Sequence, residues 1–251
     1  MPVSAKVYIS IVSTAGAVAI AYAFFSSPWP ESSNRFLVYF LLSLLAATLK
    51  IRLPGLTGTM SIGFVFVLLG IAQLTLFETM LMACAGVVVQ CLWRAQRRTP
   101  LVQVGFSIAA VAVSLSIAAQ GAQFVRMAWR GEAVSIVMAV AVCLYFAANS
   151  LLVSGVLSLV KQQPLPVIWQ QCYLFAFPYY LLGAFIAGLT INSAREFGWR
   201  PSLLILPVMG LIFLFYRIYL ARFTLQPAAM PANLPVGEHQ VAQRLEIAVQ
   251  S

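Results

Sequence analysis

Residues able to carry out catalysis or to hold a metal ion are scarce in this sequence. It contains four cysteines, one histidine and no aspartate, and no two cysteines form a CxxC pair. A zinc, haem or redox site needs a cluster of such ligands, so the isolated cysteines are interpreted as small apolar residues. No GxSxG, HExxH or paired carboxylates occur, and the run GLTG lacks the lysine of a phosphate-binding loop. The sequence therefore predicts a non-enzymatic protein without a metal or cofactor.

The polar side chains that interrupt apolar segments are the candidates for ligand binding. The amides among them are Gln73, Gln90, Gln103 and Asn149. Tyr145 precedes Asn149 by four residues, which places both on one face of a helix. Each amide either lines a ligand cavity or hydrogen-bonds a neighbouring helix. The predicted aromatic and polar ligand pocket comprises Gln73, Tyr145, Asn149, Tyr179 and Tyr180.

The composition is that of a membrane protein. Apolar residues make up 62% of the chain and charged residues 8%, whereas a soluble domain carries about a quarter charged residues. The mean hydropathy is +0.94. The net charge of +9 comes from cations that lie singly between apolar runs, without the basic face that binds nucleic acid. One polytopic domain in a lipid bilayer is predicted, with no nucleic-acid partner.

Eight apolar segments follow one another along the chain. They are Val7–Phe25, Phe36–Leu49, Ile62–Leu76, Thr79–Trp93, Leu101–Gln120, Val134–Val160, Ala176–Ile191 and Leu203–Leu220. The first is longer than the core of a signal peptide and is interpreted as an uncleaved span. The third and fourth are shorter than the roughly 20 residues that cross a bilayer, so they form either two spans or one re-entrant hairpin. The predicted fold is an all-α transmembrane bundle of eight spans, or of six with the hairpin.

Three local features lie between these segments. Glu78 falls in the turn between the third and fourth segments, where it is predicted to be solvated. Residues 121–133 and 192–202 are predicted to be loops. The mixed composition of Val167–Phe175 predicts a segment at the membrane interface.

The distribution of cations orients the predicted helices. With the N-terminus inside, ten lysines and arginines lie in inner loops and helix ends, and five lie in outer loops. Cytoplasmic loops carry the excess of positive charge, so both termini are predicted to face the cytoplasm from a bacterial inner membrane. The predicted cytoplasmic basic anchors are Lys50, Arg52, Arg94, Arg97, Arg98, Arg217 and Arg222.

Residues 50–70 contain the longest polar and glycine-containing interruption in the first half of the chain. The segment begins with two cations, breaks at Pro54-Gly55 and passes through a small polar run into an apolar segment. Interrupted helices of this kind build substrate sites in transporters. Placement in an inner loop favours an ordinary turn, with Thr59 or Ser61 as the N-cap of the next helix.

Small residues recur at helical spacing in two of the predicted spans. The sets are Ser150, Ser154 and Ser158, then Gly183 with Ala187, and Ala184 with Gly188. Such faces let helix backbones approach closely in lipid. Packing between helices of one chain is the prediction, and homodimerisation is the alternative.

Four runs of the sequence resemble a known membrane module. They are KIRLPGLTGTMSIGFVFVLLGIAQLTLFETM, VQCLWRAQRR, CYLFAFPYYLLGAFIAGL and GWRPSLLILPVMGLIFLFYRIYLAR, within residues 36–222. They look like the N-terminal integral-membrane sensory module, of the MASE type, of bacterial signalling proteins. In those proteins the module precedes a diguanylate cyclase (GGDEF), an HD-GYP phosphodiesterase or a histidine kinase. The resemblance implies a membrane-embedded sensory or ligand-binding module whose output faces the cytoplasm.

The C-terminal part departs from that pattern. A transmembrane domain is predicted for residues 1–222, and residues 223–251 are predicted to form a cytoplasmic linker and a short amphipathic tail helix. No GGEEF, HD or kinase motif occurs, so the resemblance implies no cyclic-dinucleotide chemistry here. Output is expected to pass through the tail or through a cytoplasmic effector. The alternatives are a structural subunit of a larger membrane complex, and a transporter or capture subunit for a small uncharged or lipophilic solute.

Overall fold

A computed structural model provides the structure of this chain. It describes the following residues: 2–28, 33–52, 59–61, 63–93, 100–128, 134–173, 177–197, 207, 208, 210, 211, 214, 215 and 218. For residues 33, 50–52, 59–61, 134, 135, 171–173, 178, 179 and 192–197 this description covers the backbone alone. The chain divides into two compact units, residues 1–213 and 214–251. The described bundle belongs to the first unit.

Three long apolar helices are able to cross a membrane by length and composition: α1 (Val3–Ser26), α5 (Leu101–Ala128) and α6 (Val134–Lys161). At about 1.5 Å per residue they extend for roughly 36–42 Å, more than the ~30 Å hydrocarbon core of a bilayer. This part of the predicted helical membrane fold is confirmed. The predicted loop after Gln120 is wrong in its first half, because α5 continues to Ala128. Ala122 is buried there.

Shorter helices lie between and after these three. They are α2 (Ser33–Thr48), α3 (Phe64–Gln73), α4 (Leu76–Leu92), α7 (Leu165–Tyr173) and α8 (Phe177–Phe197). Helix α8 continues six residues beyond its predicted end at Ile191. The isolated described positions beyond it are helical, from Pro207 to Ile218.

A short β-hairpin joins α2 to α3. Strand β1 (Lys50–Arg52) pairs antiparallel with β2 (Thr59–Ser61), with Ile51 opposite Met60. The interpretation of Thr59 or Ser61 as a helix N-cap is therefore wrong. Helix α3 begins after Gly63, which makes no side-chain cap. In the hairpin, the backbone N–H and C=O groups of one strand hydrogen-bond those of the other. Among the described residues, it is the one element that the predicted all-helical fold lacks.

Helix α3 lies at the centre of the described bundle. Its residues Phe64–Gly70 are all buried, and it contacts α2, α4, α5, α6 and α8. A helix that is apolar on every side is expected to be surrounded on every side. The most extensive pairings around it are those of α5 with α6 and of α1 with α5. Short as it is, α3 is the element on which five of the other described helices pack.

The turn between α3 and α4 is held by a capping box. The Thr75 hydroxyl accepts a hydrogen bond from the Glu78 backbone N–H at 3.3 Å, and the Glu78 carboxylate accepts one from the Thr75 N–H at 2.9 Å. Ser27 at the end of α1 accepts from the Phe77 N–H at 3.0 Å. Glu78 is only 7% exposed, so its predicted solvation is wrong. These bonds satisfy N–H groups that begin a helix and have no partner within it.

Replacing Thr75 by alanine is expected to lower the free energy of unfolding by about 1 kcal/mol, the usual contribution of an N-cap. The measurement is thermal unfolding of the purified chain in detergent. The matched control is Thr14→Ala, because Thr14 is exposed on α1 and its hydroxyl donates only to the Ser10 carbonyl of its own helix. Equal stability of the two variants would contradict the role of the capping box.

Candidate functional site

A cavity of about 100 Å³ lies where α2, α3, α4, α5, α6 and α8 meet. We call it the central cavity. Its lining residues are Ser43, Ala47, Gly63, Phe64, Val67, Ala83, Gly86, Val87, Gln90, Val111, Tyr145 and Tyr180. No lysine, arginine, histidine or acidic residue is among these described lining residues. The central cavity is therefore a largely apolar space with a few hydroxyl and amide groups, which is the usual make-up of a small-molecule site.

Aromatic rings form one wall of the central cavity. The rings of Phe64 and Tyr180 have centroids 4.5 Å apart, and those of Tyr145 and Tyr180 are 6.4 Å apart. Phe146 supports Tyr180 from behind in an edge-on contact at 5.0 Å. Gly183 makes room for this wall, because a Cβ there would stand 2.2 Å from Phe64 Cζ. The wall thus depends on three helices, α3, α6 and α8.

The two tyrosine hydroxyls of the central cavity differ in their surroundings. The side chain of Asn149 lies near the Tyr180 hydroxyl. Tyr145 is 5% exposed, and no hydrogen bond joins its hydroxyl to another described residue. A hydroxyl group is both a donor and an acceptor. The Tyr145 hydroxyl is therefore available to donate to a molecule in the central cavity.

The structure brings together three of the five predicted pocket residues. Tyr145 and Tyr180 line the central cavity, and the side chain of Asn149 lies near Tyr180. Gln73 lies elsewhere, at the other end of α3, where its side-chain oxygen accepts a hydrogen bond from Tyr39 at 2.7 Å. Of the two alternatives predicted for the amides, Gln73 therefore shows the hydrogen bond to a neighbouring helix. The side chain of Tyr179 lies outside the described residues.

Most of the lining residues were not predicted as part of a site, among them Ser43, Phe64 and Gly86. A Cβ at Gly86 would be 3.7 Å from Ser43 Oγ, so these two residues face each other across the α2–α4 contact. The sequence held only a weak signal for Ser43 and Gly86, because each is a single small residue in an apolar helix. Phe64 gave no signal, because it is one of many aromatic residues in apolar segments.

Helix α7 attaches to α6 next to the aromatic wall. The indole N–H of Trp169 donates to the Ser150 hydroxyl at 3.0 Å, and Ile168 is buried. Ser150 and Ser154 are both buried, and Gly183 packs against Phe64. These small residues therefore pack between helices of one chain, as predicted from the sequence. The homodimer remains a prediction.

The predicted basic anchors are mostly outside the described residues. Lys50 and Arg52 lie in β1, where the backbone alone is described. The others that fall outside the described part are Arg94, Arg97, Arg98, Arg217 and Arg222. Their role as cytoplasmic anchors remains a prediction.

Comparison with known proteins identified no relative of this chain. Neither a protein-family model, nor a curated protein, nor a solved structure matches this chain. The resemblance to MASE-type modules therefore remains a prediction from the sequence. Within the described part of the chain, no group of three His, Cys, Asp or Glu residues is placed to hold a metal ion.

Proposed function

We propose that this chain is a non-enzymatic, multi-pass sensory module of a bacterial inner membrane. In this proposal a small uncharged molecule binds in the central cavity, and its occupancy reaches the cytoplasm through the C-terminal tail or a partner protein. The observation that carries the proposal is the position of the central cavity, where the buried helix α3 meets five other helices. The sequence resemblance to MASE-type modules also supports a sensory function.

The geometry of the central cavity links binding to helix movement. The lining residues Phe64, Gly86 and Tyr180 belong to three different helices. Phe64 is in direct contact with α8 through Tyr180 and Gly183. Close-packed interiors respond to an added group by discrete shifts of whole elements. A ligand that fits only one arrangement of α3, α4 and α8 selects that arrangement. This is the physical basis of the proposed sensing.

Binding rather than catalysis is proposed because of the side chains that line the central cavity. Its polar groups are the hydroxyls of Ser43, Tyr145 and Tyr180 and the amide of Gln90. A hydroxyl nucleophile needs an adjacent base to become reactive, and these described lining residues include none. Hydroxyl and amide groups are well suited to orient a neutral ligand.

The proposed topology has eight spans with both termini in the cytoplasm. Contacts between helix ends support the proposed alternation for α1, α3, α4, α5 and α6. The end of α1 meets the α3–α4 turn through Ser27 and Phe77, and Arg126 near the end of α5 donates to the Ile71 carbonyl of α3 at 3.2 Å. Towards the opposite end, Tyr8 of α1 donates to the Leu152 carbonyl of α6 at 3.1 Å. Green fluorescent protein fused after Ser251 is expected to fluoresce, and a dark but stably inserted fusion would contradict the cytoplasmic C-terminus.

The test of the sensory function uses a cyclase reporter. A diguanylate cyclase domain is fused after Ser251, and its product is measured in cells carrying the unmodified chain or Gly86→Val. A Cβ at Gly86 makes only ordinary contacts, at 3.7 Å from Ser43 Oγ and 4.0 Å from Ala47 Cβ, so valine is expected to fill part of the central cavity without disrupting α4. Allosteric coupling typically changes an equilibrium by about 5-fold or more, and a change of that size in product is expected. Gly188→Val is the control, because nothing lies within 4 Å of a Cβ there.

The alternatives predict other outcomes of this experiment. Equal product from the Gly86 and Gly188 variants would overturn the sensory proposal. A structural subunit would then be recognised by stoichiometric recovery with other membrane subunits from native membranes. A transporter or capture subunit would be recognised by solute uptake that Gly86→Val reduces and Gly188→Val does not.

A further inference from the structure

The size of the central cavity limits its ligand to about one ring. Its volume is about 100 Å³, well above the ~10–15 Å³ that a single water needs. It is of the same order as the ~150 Å³ engineered apolar cavity that binds benzene. Small residues widen the space opposite the aromatic wall, namely Ala47, Ala83 and Gly86. A molecule of about one ring therefore matches this volume.

The described lining excludes a charged ligand on energetic grounds. Its polar groups are neutral, so an ion entering the central cavity would lose its hydration without gaining a counter-charge. Burying an unpaired charge in this way is strongly unfavourable in a protein interior and in a membrane. The ligand is therefore uncharged.

The hydroxyl of Tyr145 sets the polar requirement. Among the described residues it makes no hydrogen bond. An oxygen on the occupant within reach of this hydroxyl gives it an acceptor, so the best occupant carries an oxygen that accepts from it. The ring of Tyr180, 4.5 Å from that of Phe64, offers an aromatic surface beside it for a flat ring.

We propose that the central cavity binds an uncharged, single-ring aromatic molecule with an oxygen substituent, of the phenol class, whose oxygen accepts a hydrogen bond from Tyr145. This inference rests on the proposed function, because it names the ligand class of the same cavity. The ring lies against Phe64 and Tyr180, and the small residues of α2 and α4 form the opposite side. The size and the aromatic wall of the central cavity favour a single ring, and the Tyr145 hydroxyl favours a ligand with an oxygen acceptor.

The test compares three fluorinated probes by ¹⁹F NMR on the full chain in phosphatidylcholine nanodiscs. The probes are 4-fluorophenol, fluorobenzene and 4-fluorobenzoate, and empty nanodiscs correct for partition into lipid. Saturable binding is expected for 4-fluorophenol, binding about tenfold weaker for fluorobenzene, and none for 4-fluorobenzoate. The tenfold difference corresponds to one hydrogen bond lost in a water-poor site. This comparison uses the unmodified protein, so it does not depend on any variant folding.

Variants then assign the binding to the central cavity. Tyr145→Phe is expected to weaken 4-fluorophenol binding about tenfold while leaving fluorobenzene binding unchanged, and Gly86→Val is expected to abolish both. Tyr22→Phe is the matched control, because Tyr22 is exposed on α1 away from the central cavity.

Each contrary result has a separate meaning. Equal affinity for 4-fluorophenol and fluorobenzene, or no effect of Tyr145→Phe, overturns the oxygen requirement while the central cavity remains a binding site. Absence of saturable binding by every probe overturns the single-ring class. In that case a Gly86→Val change in the cyclase reporter still supports the proposed function, and no change there overturns both.

Discussion

Replacing Gly16 by alanine is expected to destabilise the bundle by about 1–3 kcal/mol, the usual cost of overpacking a close contact. A Cβ at Gly16 would stand 2.5 Å from both Cα and Cβ of Ala109 in α5, and 3.0 Å from the Ala109 carbonyl oxygen. These are mostly backbone atoms of a long helix, so no side-chain rotation relieves the contact. Helix α1 has few other buried residues, and therefore the added methyl group separates it from α5 along much of their contact.

The measurement is detergent-denaturant or thermal unfolding, compared with Gly105→Ala. Gly105 lies on α5 as well, and nothing is within 4 Å of a Cβ there. Alanine is favoured over glycine in a helix by up to about 1 kcal/mol, so the control is expected to be neutral or more stable than the unmodified chain. If the Gly16→Ala protein were as stable as the Gly105→Ala protein, α1 would not pack on α5 through Gly16.

Replacing Gly183 by alanine is expected to disturb both stability and ligand binding. A Cβ there would stand 2.2 Å and 2.6 Å from two carbon atoms of the Phe64 ring, and 3.0 Å from a methyl of Val65. The Phe64 ring is buried and packs against Tyr180 at a tilt of 39°, and it lines the central cavity, which is the free space beside it. We expect the ring to turn into that space, with a loss of about 1–3 kcal/mol in unfolding free energy. Binding of 4-fluorophenol is expected to be lost together with the space.

The control for this variant lies one and a half turns further along the same helix. Gly188→Ala introduces a methyl group with nothing within 4 Å, so unfolding and probe binding are expected to remain those of the unmodified chain or to improve slightly. Two measurements are needed, thermal unfolding in detergent and the NMR titration. A Gly183→Ala protein that keeps full probe affinity would show that Phe64 does not form the wall of the binding site.

The sequence predicted the long helices well because their signal is local. An uncharged apolar run of sufficient length requires helix in lipid, where backbone groups find partners only within the segment. This argument located α1 and α6 to within a few residues of their ends. It failed beyond Gln120 and Ile191, where α5 and α8 continue through polar residues. In α5, Arg126 reaches back to the Ile71 carbonyl of α3, a partner that no local pattern reveals.

The candidate site was predictable only where it lies within one helix. The spacing of Tyr145 and Asn149 placed both on one face of α6, and in the structure both stand next to Tyr180 of α8. Gln73 was grouped with them because it is a polar residue in an apolar segment, yet it bonds Tyr39 at the other end of α3. Residue type identified these polar groups, but it did not determine which of them face each other.

By itself, the sequence determined that this protein is a bundle of apolar helices, and it determined which polar residues lie within them. Only the tertiary structure decided that α3 is the central helix and that Ser43, Phe64 and Gly86 meet Tyr145 and Tyr180 around one cavity. The reason is physical. In a soluble protein the apolar stripe of a helix shows which side faces the core, whereas here nearly every side is apolar because lipid accepts all of them. Helix rotation and register therefore depend on close packing between residues far apart in the chain, such as Gly16 with Ala109 and Gly183 with Phe64.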